Sequence, residues 1–403
     1  MGLQEGIRFF TREKHTMQSL CVTCGTAEKA LWAADGFADV DCLHPVDEDS
    51  VYDLASLTKL FTALSLCRLA EQGEIDLKRP VTHYAPAFVH LTDVTVDQVL
   101  GYEVNLTTDG RVDAQRDRQA GLEKLEHIKA AAQGDNRFYS DMHAMVLGLL
   151  MEKVTGLPLY EVISGLILQP LGMKETWARV PEGRLQDCLC YDREHRIERG
   201  RYILREGLRP GVPHDPKAAL LGENGKYLCG HAGLFSTRRD MERLCRALLR
   251  GELLRPETLR DMSRNRLGRE KPEGGWSQYL GSLCYVKHPC QYFSEIPVYM
   301  GWQSVGLSGF TGNHVSIDPE NGRFALFLGN RVLNRLTMLI PEEGKTREDY
   351  GLNPDGTGCI PWPDGSRVWS SYDYVHLKDE HLHREIMREM GWSPCFPETS
   401  APR

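Results

Sequence analysis

Short apolar runs bounded by turn residues occupy both ends of the chain, and longer runs at helical spacing lie between them. Residues 19–41 form two short runs with turn residues between them, a pattern that predicts a β-hairpin. Residues 314–332 contain two apolar runs around an Asp-Pro-Glu-Asn-Gly turn and predict a second hairpin. Strands at both ends therefore predict one antiparallel sheet that is built from both termini.

Four stretches carry apolar residues at the spacing of a helix. The run over 56–73 is apolar on most sides, so we expect this helix to be buried. The runs over 140–156 and 240–251 each end at a glycine, which is typical of a helix C-terminus. A last helix is predicted within 374–392.

Two long polar stretches, residues 181–216 and 338–376, are rich in Arg, Pro or Gly and are predicted to be loops. The middle of the chain, residues 86–225, is predicted to be mainly helix and loop. We therefore expect residues 1–85 and 226–403 to form a discontinuous sheet domain into which 86–225 is inserted as a helical lobe.

Composition narrows the classes of function. The 403 residues carry a formal net charge of −8 and no basic stripe, so we expect no nucleic-acid partner. No window approaches the roughly 20 apolar residues that span a membrane, and no signal peptide is recognisable, so we expect a cytoplasmic protein. Of the twelve cysteines, Cys21/Cys24 and Cys188/Cys190 form isolated close pairs. Neither these pairs nor the histidines have the spacing of metal ligands, and we predict no metal site.

The helix over 56–73 begins with a serine and a lysine that share one face, Ser56 and Lys59. A serine hydroxyl becomes an effective nucleophile when a base removes its proton. A lysine amine can be that base if it is neutral, and burial and the positive end of a helix both favour the neutral form. A serine that merely caps the helix fits this short pattern equally well.

Four stretches that follow one another in a fixed order favour a catalytic serine over a serine that only caps the helix. They are ASLTKLFTAL at 55–64, FYSDMHAMVLG at 138–148, HAGLFST at 231–237 and GLSGFTGNHVSIDPENG at 306–322. Together they resemble the serine β-lactamase and penicillin-binding-protein-like superfamily, in its branch of class C β-lactamases and related esterases. The resemblance covers roughly residues 19–335. It implies an α/β (α+β) fold with an antiparallel sheet flanked by helices, and an active site between the sheet domain and the inserted lobe.

The resemblance also implies roles for three residues. Ser56 would be the nucleophile that forms an acyl-enzyme, and Lys59 would share its proton. Tyr139 matches the tyrosine of the family's Tyr-x-Asn motif and would be a second base. Its anion would need the positive field of Lys59, so the two groups would titrate as a coupled pair.

Two motif positions depart from the family pattern. Asp141 replaces the asparagine of Tyr-x-Asn and, when ionised, cannot donate a hydrogen bond to a substrate carbonyl. It is expected to pair with Lys59 or to cap the helix that follows.

The family's third motif, Lys-Thr-Gly or His-x-Gly, corresponds here to Leu307, Ser308 and Gly309. Leu307 cannot hold a substrate carboxylate, which weakens a claim to β-lactam or D-Ala-D-Ala recognition. Gly309 allows close backbone approach, and the backbone N–H groups of Phe310 and Ser56 are expected to form an oxyanion hole.

The sequence thus predicts a serine hydrolase that acts without cofactor on a small ester or a D-amino-acid-type amide. β-Lactamase or D,D-peptidase-like activity, transacylation, and a non-catalytic protein that binds ligands in a degenerate cleft stay open alternatives. His231 is expected to be structural, His214 and Asp215 have no assigned role, and the oligomeric state is open.

Overall fold

The computed structural model describes residues 2–134, 138–291, 294–372 and 374–395. The strands in these ranges are β1 (Ser19–Gly25), β2 (Ala30–Gly36), β3 (Val51–Asp53), β4 (Val104–Thr107), β5 (Lys129–Ala132), β6 (Thr176–Trp177), β7 (Glu194–Glu198), β8 (Arg201–Arg205), β9 (Phe235–Thr237), β10 (Tyr285–Val286), β11 (Val305–Ser308), β12 (His314–Asp318), β13 (Arg323–Asn330), β14 (Arg335–Ile340), β15 (Cys359–Pro361) and β16 (Arg367–Ser370).

The α-helices are α1 (Leu3–Arg8), α2 (Thr58–Glu71), α3 (Val81–Tyr84), α4 (Val96–Leu100), α5 (Arg118–Glu126), α6 (Asp141–Thr155), α7 (Leu159–Ile163), α8 (Pro216–Leu221), α9 (Arg238–Arg250), α10 (Pro256–Met262), α11 (Tyr374–Lys378) and α12 (Arg384–Met390). In these ranges no helix is both long and apolar enough to cross a membrane.

The central sheet has six antiparallel strands in the order β10-β11-β12-β13-β1-β2. Strand β1 from the N-terminus lies between β2 and β13, with Ser19 opposite Asn330 and Gly25 opposite Phe324. Every residue of β1 is buried, because both faces of this strand are covered. The two predicted hairpins and the single sheet built from both termini are confirmed.

Helices cover both faces of the central sheet. On one face α2, α6 and α9 form the main core, to which β1 contributes Cys21. On the other face the alternate β1 residues Leu20 and Val22 pack with Ile7 of α1 and Ile386 of α12. This alternation along one strand is what a sheet with two buried faces requires, and it confirms the predicted α/β (α+β) fold class.

Two helices end at the glycines that were predicted to end them. Helix α6 ends at Gly156 with φ 70°, and α9 ends at Gly251 with φ 68°. Both glycines adopt the left-handed conformation that closes a helix without a Cβ clash. Helix α2 ends at Glu71, two residues before Gly73.

The two predicted loops are wrong in part. Residues 181–216 contain β7 and β8, and residues 338–376 contain the end of β14 together with β15 and β16. These strands form a second sheet in the order β15-β16-β14-β7-β8, in which β14 runs parallel to both β7 and β16. Arginine and glutamate make up five of the ten residues of β7 and β8, and the sheet packs on only a small apolar cluster. That composition hides the strand signal.

The second sheet joins part of the predicted lobe to the C-terminal region. Strands β7 and β8 lie in 86–225, whereas β14 to β16 lie in 226–403. The proposed domain limits stay a prediction. Residues 1, 292–293, 373 and 396–403 of the predicted sheet domain, and residues 135–137 of the predicted lobe, lie outside the described residues.

Candidate active site

A single 3₁₀ turn, Ala55–Leu57, carries the predicted nucleophile between β3 and α2. Ala55 has φ 46°, a left-handed conformation that costs free energy for a residue with a Cβ. The Asp53 carboxylate accepts a hydrogen bond from the Ala55 N–H at 2.9 Å and holds the turn in place. The Ser56 side chain therefore lies at the head of α2, where it lines a cleft of about 370 Å³.

Lys59 lies one turn further along the chain and is completely buried. Its Nζ donates to the Ser56 Oγ at 2.9 Å, to the Asp141 Oδ1 at 2.8 Å and to the His231 backbone carbonyl at 3.3 Å. An ammonium group has three protons, so these contacts satisfy all of them. The predicted contact between Ser56 and Lys59 is thus present.

The sequence left the charge of the Lys59 amine conditional, since burial favours the neutral form and the Tyr139 anion would need a positive one. Burial alone would lower the pKa of Lys59, but Asp141 and Tyr139 together raise it above its ordinary value. Burial likewise opposes the charged form of Asp141, yet the Lys59 ammonium leads the interactions that hold the Asp141 pKa below its usual range. Because the ion pair outweighs desolvation at both groups, Lys59 is charged at neutral pH.

Tyr139 is held at the N-terminal end of α6. The backbone N–H groups of Phe138 and Tyr139 both donate to the Gln278 side-chain carbonyl, at 3.0 and 3.1 Å. The ring stacks on Tyr285 at a centroid distance of 5.3 Å and lies 4.8 Å from the Lys59 Nζ, measured to the ring centroid.

The Tyr139 hydroxyl is buried and makes no hydrogen bond of good geometry to any residue in the described ranges. It is still close enough to Lys59 to raise the pKa of that amine. Ser56 and Tyr139 therefore line one cleft, and the buried Lys59 contacts Ser56 from behind the cleft surface. A hydrogen bond from the phenol to either group is not formed.

Asp141 belongs to a charged network that the sequence reading only partly anticipated. Of the two expected roles, the structure shows the pairing with Lys59, because the helix cap is Ser140, whose Oγ accepts from the Met142 N–H. The second carboxylate oxygen of Asp141 lies 3.1 Å from the Lys217 Nζ. One carboxylate is thus shared by two lysines.

The network continues from Lys217 to Asp215, at 3.4 Å, and from Asp215 to the His231 Nε2, at 2.9 Å. Asp215 also caps α8, since its carboxylate accepts from the N–H groups of Lys217 and Ala218. The Asp-Pro pair at 215–216 is a readable helix start. That Lys217 would then face Asp141 was not readable, because the two lie 76 positions apart.

Asp141, Asp215 and His231 bring potential metal ligands within 4.8 Å of one another. The ammonium groups of Lys59 and Lys217 already contact the carboxylates from 2.8 to 3.4 Å. Two positive charges at this position oppose a further cation. The arrangement fits an ion-pair network better than a metal centre.

The third motif lies at the end of β11, across the cleft from Lys59. Ser308, Gly309 and Phe310 line the cleft together with Ser56. A Cβ on Gly309 would lie 3.0 Å from the Leu54 carbonyl oxygen, so this position requires the close approach that glycine allows. The oxyanion hole predicted for Ser56 and Phe310 stays a prediction.

The structure does not bring Leu307 into the cleft, contrary to its expected place among the substrate-contacting residues. The side chain is fully buried in the main core, and its strand partner is Val315. Neighbouring residues of a strand point to opposite faces, so Leu307 faces the core where Ser308 faces the cleft.

The wall beside Phe310 consists of side chains that the sequence reading missed. Three arginines line the cleft there: Arg196 of β7, Arg205 of β8 and Arg331, the residue after β13. We call these three residues the arginine wall. His214, left without a role, stacks on Phe310 at a centroid distance of 5.4 Å. Two of these arginines come from strands that were predicted to be loop, and no local motif marked them.

Comparisons with known proteins bear on the family and the fold of this chain. The family model described as Beta-lactamase matches residues 12–337. Esterase EstB of Burkholderia gladioli is 27% identical over 304 residues, which are 68% of this chain and 76% of the esterase. A Salmonella enteritidis protein assigned by its name to the D-alanyl-D-alanine carboxypeptidases is 28% identical over 321 residues, 72% of this chain and 71% of that protein.

One solved structure extends the likeness over nearly the whole chain. A penicillin-binding protein homolog from Caulobacter crescentus has a TM-score of 0.66 to this structure at 16% identity. The alignment covers 95% of this chain and 96% of the homolog. The shared fold therefore includes most of the region after residue 337, which the family model does not match.

Proposed function

The chain belongs to the β-lactamase family of serine hydrolases, as its motifs predicted, and on that premise we propose that it hydrolyses small carboxylic esters through an acyl-enzyme on Ser56. The observation that carries the proposal is the 2.9 Å contact between the Ser56 Oγ and the Lys59 Nζ inside the cleft. A buried charged lysine that contacts a serine hydroxyl is an arrangement suited to activating that hydroxyl.

In the first step the Ser56 Oγ attacks the ester carbonyl carbon. Because Lys59 is charged, we assign the acceptor of the Ser56 proton to Tyr139, whose ring centroid lies 4.8 Å from the Lys59 Nζ. The same proton then goes to the departing alcohol as the acyl-enzyme forms. The Tyr139 hydroxyl has no hydrogen-bond partner in the described part of the chain, and catalytic hydrogen bonds often form fully only when substrate binds.

In the second step a water molecule attacks the acyl carbon. Tyr139 takes a proton from the water, the carbonyl re-forms, and Ser56 leaves with that proton. In both steps the developing oxyanion would be stabilised by the backbone N–H groups of Ser56 and Phe310. An alcohol in place of water would give transacylation by the same route.

Two features favour esters over amides of the D-Ala-D-Ala type. The ionised Asp141 cannot donate to a substrate amide carbonyl, and both of its oxygens already contact lysines. Leu307 offers no cation at the third motif. The relative EstB is named an esterase, which agrees with this choice, and a D,D-carboxypeptidase or β-lactamase is the second candidate.

Labelling with a fluorophosphonate probe tests the proposal directly. We expect the wild-type protein to be labelled on Ser56, as located by mass spectrometry, and to hydrolyse 4-nitrophenyl acetate. Ser56→Ala should abolish both signals, whereas the matched variant Ser164→Ala, remote from the cleft, should retain both. A folded wild-type protein that is neither labelled nor active would favour the non-catalytic alternative.

A panel of esters, D-Ala-D-Ala peptides and penicillins then separates the two candidate substrates. Turnover of the peptides above that of every ester would replace the esterase proposal with the carboxypeptidase.

A further inference from the structure

The arginine wall is built around one buried carboxylate, Glu194 of β7. The Arg196 Nε lies 2.6 Å from one Glu194 oxygen, and the Arg205 Nη1 lies 2.9 Å from the other. Thr337 donates to the same carboxylate, and the His214 Nε2 is 3.0 Å away. Glu194 is fully buried. Its one negative charge is shared by the guanidinium groups of Arg196 and Arg205.

Arg331 has no such partner. Within the ranges that the structure describes, its guanidinium makes neither an ion pair nor a hydrogen bond, and its Nε is buried without a partner. The group packs over the Phe310 ring, with its Cζ 5.0 Å from the centroid, while the Arg196 Cζ lies 5.5 Å from the same centroid. Burial lowers the pKa of Arg331, and Glu194 opposes that effect only from a distance.

The remaining charges of the cleft are balanced among themselves. Asp113 pairs with Arg111, and the Arg111 Nε lies 3.1 Å from the Asp113 carboxylate. Asp141 is held by its two lysines, and Asp215 by Lys217 and His231. Arg196 also lies 3.9 Å from the Glu198 carboxylate, so Arg196 and Arg205 have carboxylate partners of their own. Among the described lining residues no carboxylate is left for Arg331.

A partly buried charge without a partner is costly, and a cleft wall that carries such a charge is suited to a ligand of opposite charge. A guanidinium presents its donors in a planar fork that matches both oxygens of a carboxylate. Phosphate would fit the same fork, but an ester substrate most directly carries its negative charge as a second carboxyl group.

We propose that Arg331, assisted by Arg196, binds a carboxylate of the substrate beside Phe310, so that the enzyme selects acidic esters. The proposal rests on the esterase function proposed above and names its substrate class. The site differs from the third-motif position, because Leu307 there is buried in the core and Arg331 reaches the cleft from the end of β13.

Two pairs of matched esters test the selectivity and locate the charge. Mono-4-nitrophenyl glutarate and its methyl ester differ only in an acid on the acyl side, and 4-acetoxybenzoate and its methyl ester differ only in an acid on the leaving group. We expect the wild type to prefer the acid in one pair by at least tenfold in kcat/KM. Arg331→Met should reduce that preference at least tenfold, and Arg331→Lys should restore part of it.

The exposed Arg116 supplies the matched control, since it pairs with Asp117 at 3.1 Å away from the cleft. Arg116→Met should leave the acid preference of the enzyme unchanged. A wild type that shows no preference in either pair, or an Arg331→Met variant with the full wild-type preference, would overturn the proposal.

A binding experiment separates this proposal from the esterase assignment. Calorimetric titration of Ser56→Ala with monoethyl glutarate and with 4-hydroxybenzoate should show binding of one of them, and Ser56→Ala/Arg331→Met should lose it. Binding in a protein that hydrolyses no ester would support the anion site and refute the esterase. Active hydrolysis with neither acid bound would refute the anion site alone.

Discussion

The two walls of the cleft are charged to a similar extent, but they differ in how their charges are balanced. On the catalytic wall, formed by Ser56, Lys59, Asp141 and Lys217, each ammonium contacts a carboxylate of the chain itself. The arginine wall carries more positive charge than Glu194 neutralises. The ammonium groups of the catalytic wall have carboxylate partners without any ligand. The guanidinium of Arg331 in the arginine wall would gain such a partner when an anion binds.

This difference assigns the proposed acyl transfer to the catalytic wall and the proposed substrate selectivity to the arginine wall. The catalytic wall takes its nucleophile from the 3₁₀ turn before α2 and its lysine from the first turn of α2, three positions apart, and a short motif marks it. The arginine wall collects residues from β7, β8 and the end of β13, which are far apart in sequence. Changes on the two walls should therefore affect different measurements.

The largest effect is expected from Lys59→Met, which removes the charge at the centre of the catalytic wall. We expect kcat for a neutral ester to fall by about 10³-fold, within the range for lost acid–base groups. Circular dichroism should show a folded protein, because Lys217 still neutralises Asp141. Turnover near the wild-type level would remove Lys59 from the mechanism.

Tyr139→Phe should come next, with a loss of about 10²-fold in kcat. Its thermal stability should not fall, because the hydroxyl that is removed has no hydrogen-bond partner in the described part of the chain. Kinetics and differential scanning calorimetry together check this. A marked drop in Tm with unchanged kcat would assign Tyr139 a structural role instead.

Glu194→Gln tests the arginine wall through stability. Removing one partner of a buried ion pair costs about 3 kcal/mol, so the free energy of unfolding at pH 7 should fall by roughly that amount. The pKa of Glu194 is held below its usual range, because His214 and Arg196 outweigh the opposing effect of burial.

The pH dependence of that loss follows from the sign of the shift. A carboxylate with a lowered pKa stabilises the folded state above its ordinary pKa, and this stabilisation disappears as the pH falls through the folded value. The difference between wild type and Glu194→Gln in urea unfolding should therefore shrink from pH 7 to pH 3. A difference that grows in acid would contradict the assigned ion pairs.

The smallest effect is expected from Lys217→Met. Asp141 keeps its 2.8 Å contact with Lys59, so we expect kcat/KM for a neutral ester to fall by only about threefold, or roughly 0.6 kcal/mol. Steady-state kinetics measure this. A loss as large as that of Lys59→Met would mean that both lysines are needed to position Asp141.

Local patterns were sufficient for much of the fold. The hairpins at both ends, the buried helix after Ser56 and the glycine stops at Gly156 and Gly251 all depend on residues a few positions apart. Periodicity and turn chemistry are local signals, so they are readable without a structure.

What was missed depends on contacts that are distant in sequence. The Lys59 ammonium is paired with Asp141, 82 positions away, so burial and helix position alone do not decide its charge. Leu307 was placed by motif alignment, but strand register turns it into the core. Strand β7 pairs with β14, in which Leu336 lies opposite His195, 141 positions earlier in the chain, so no local pattern marks this pairing.

The connection at residues 331–334 is all that separates β13 of the central sheet from β14 of the second sheet, and Arg331 is its first residue. The guanidinium that we assign to substrate choice is thus attached to the junction of two layers, while Ser56 is anchored by a separate turn. If Arg331 selects the substrate as we propose, insertions or replacements in β14 to β16 should change which esters the protein accepts. They should leave acyl transfer at Ser56 unchanged.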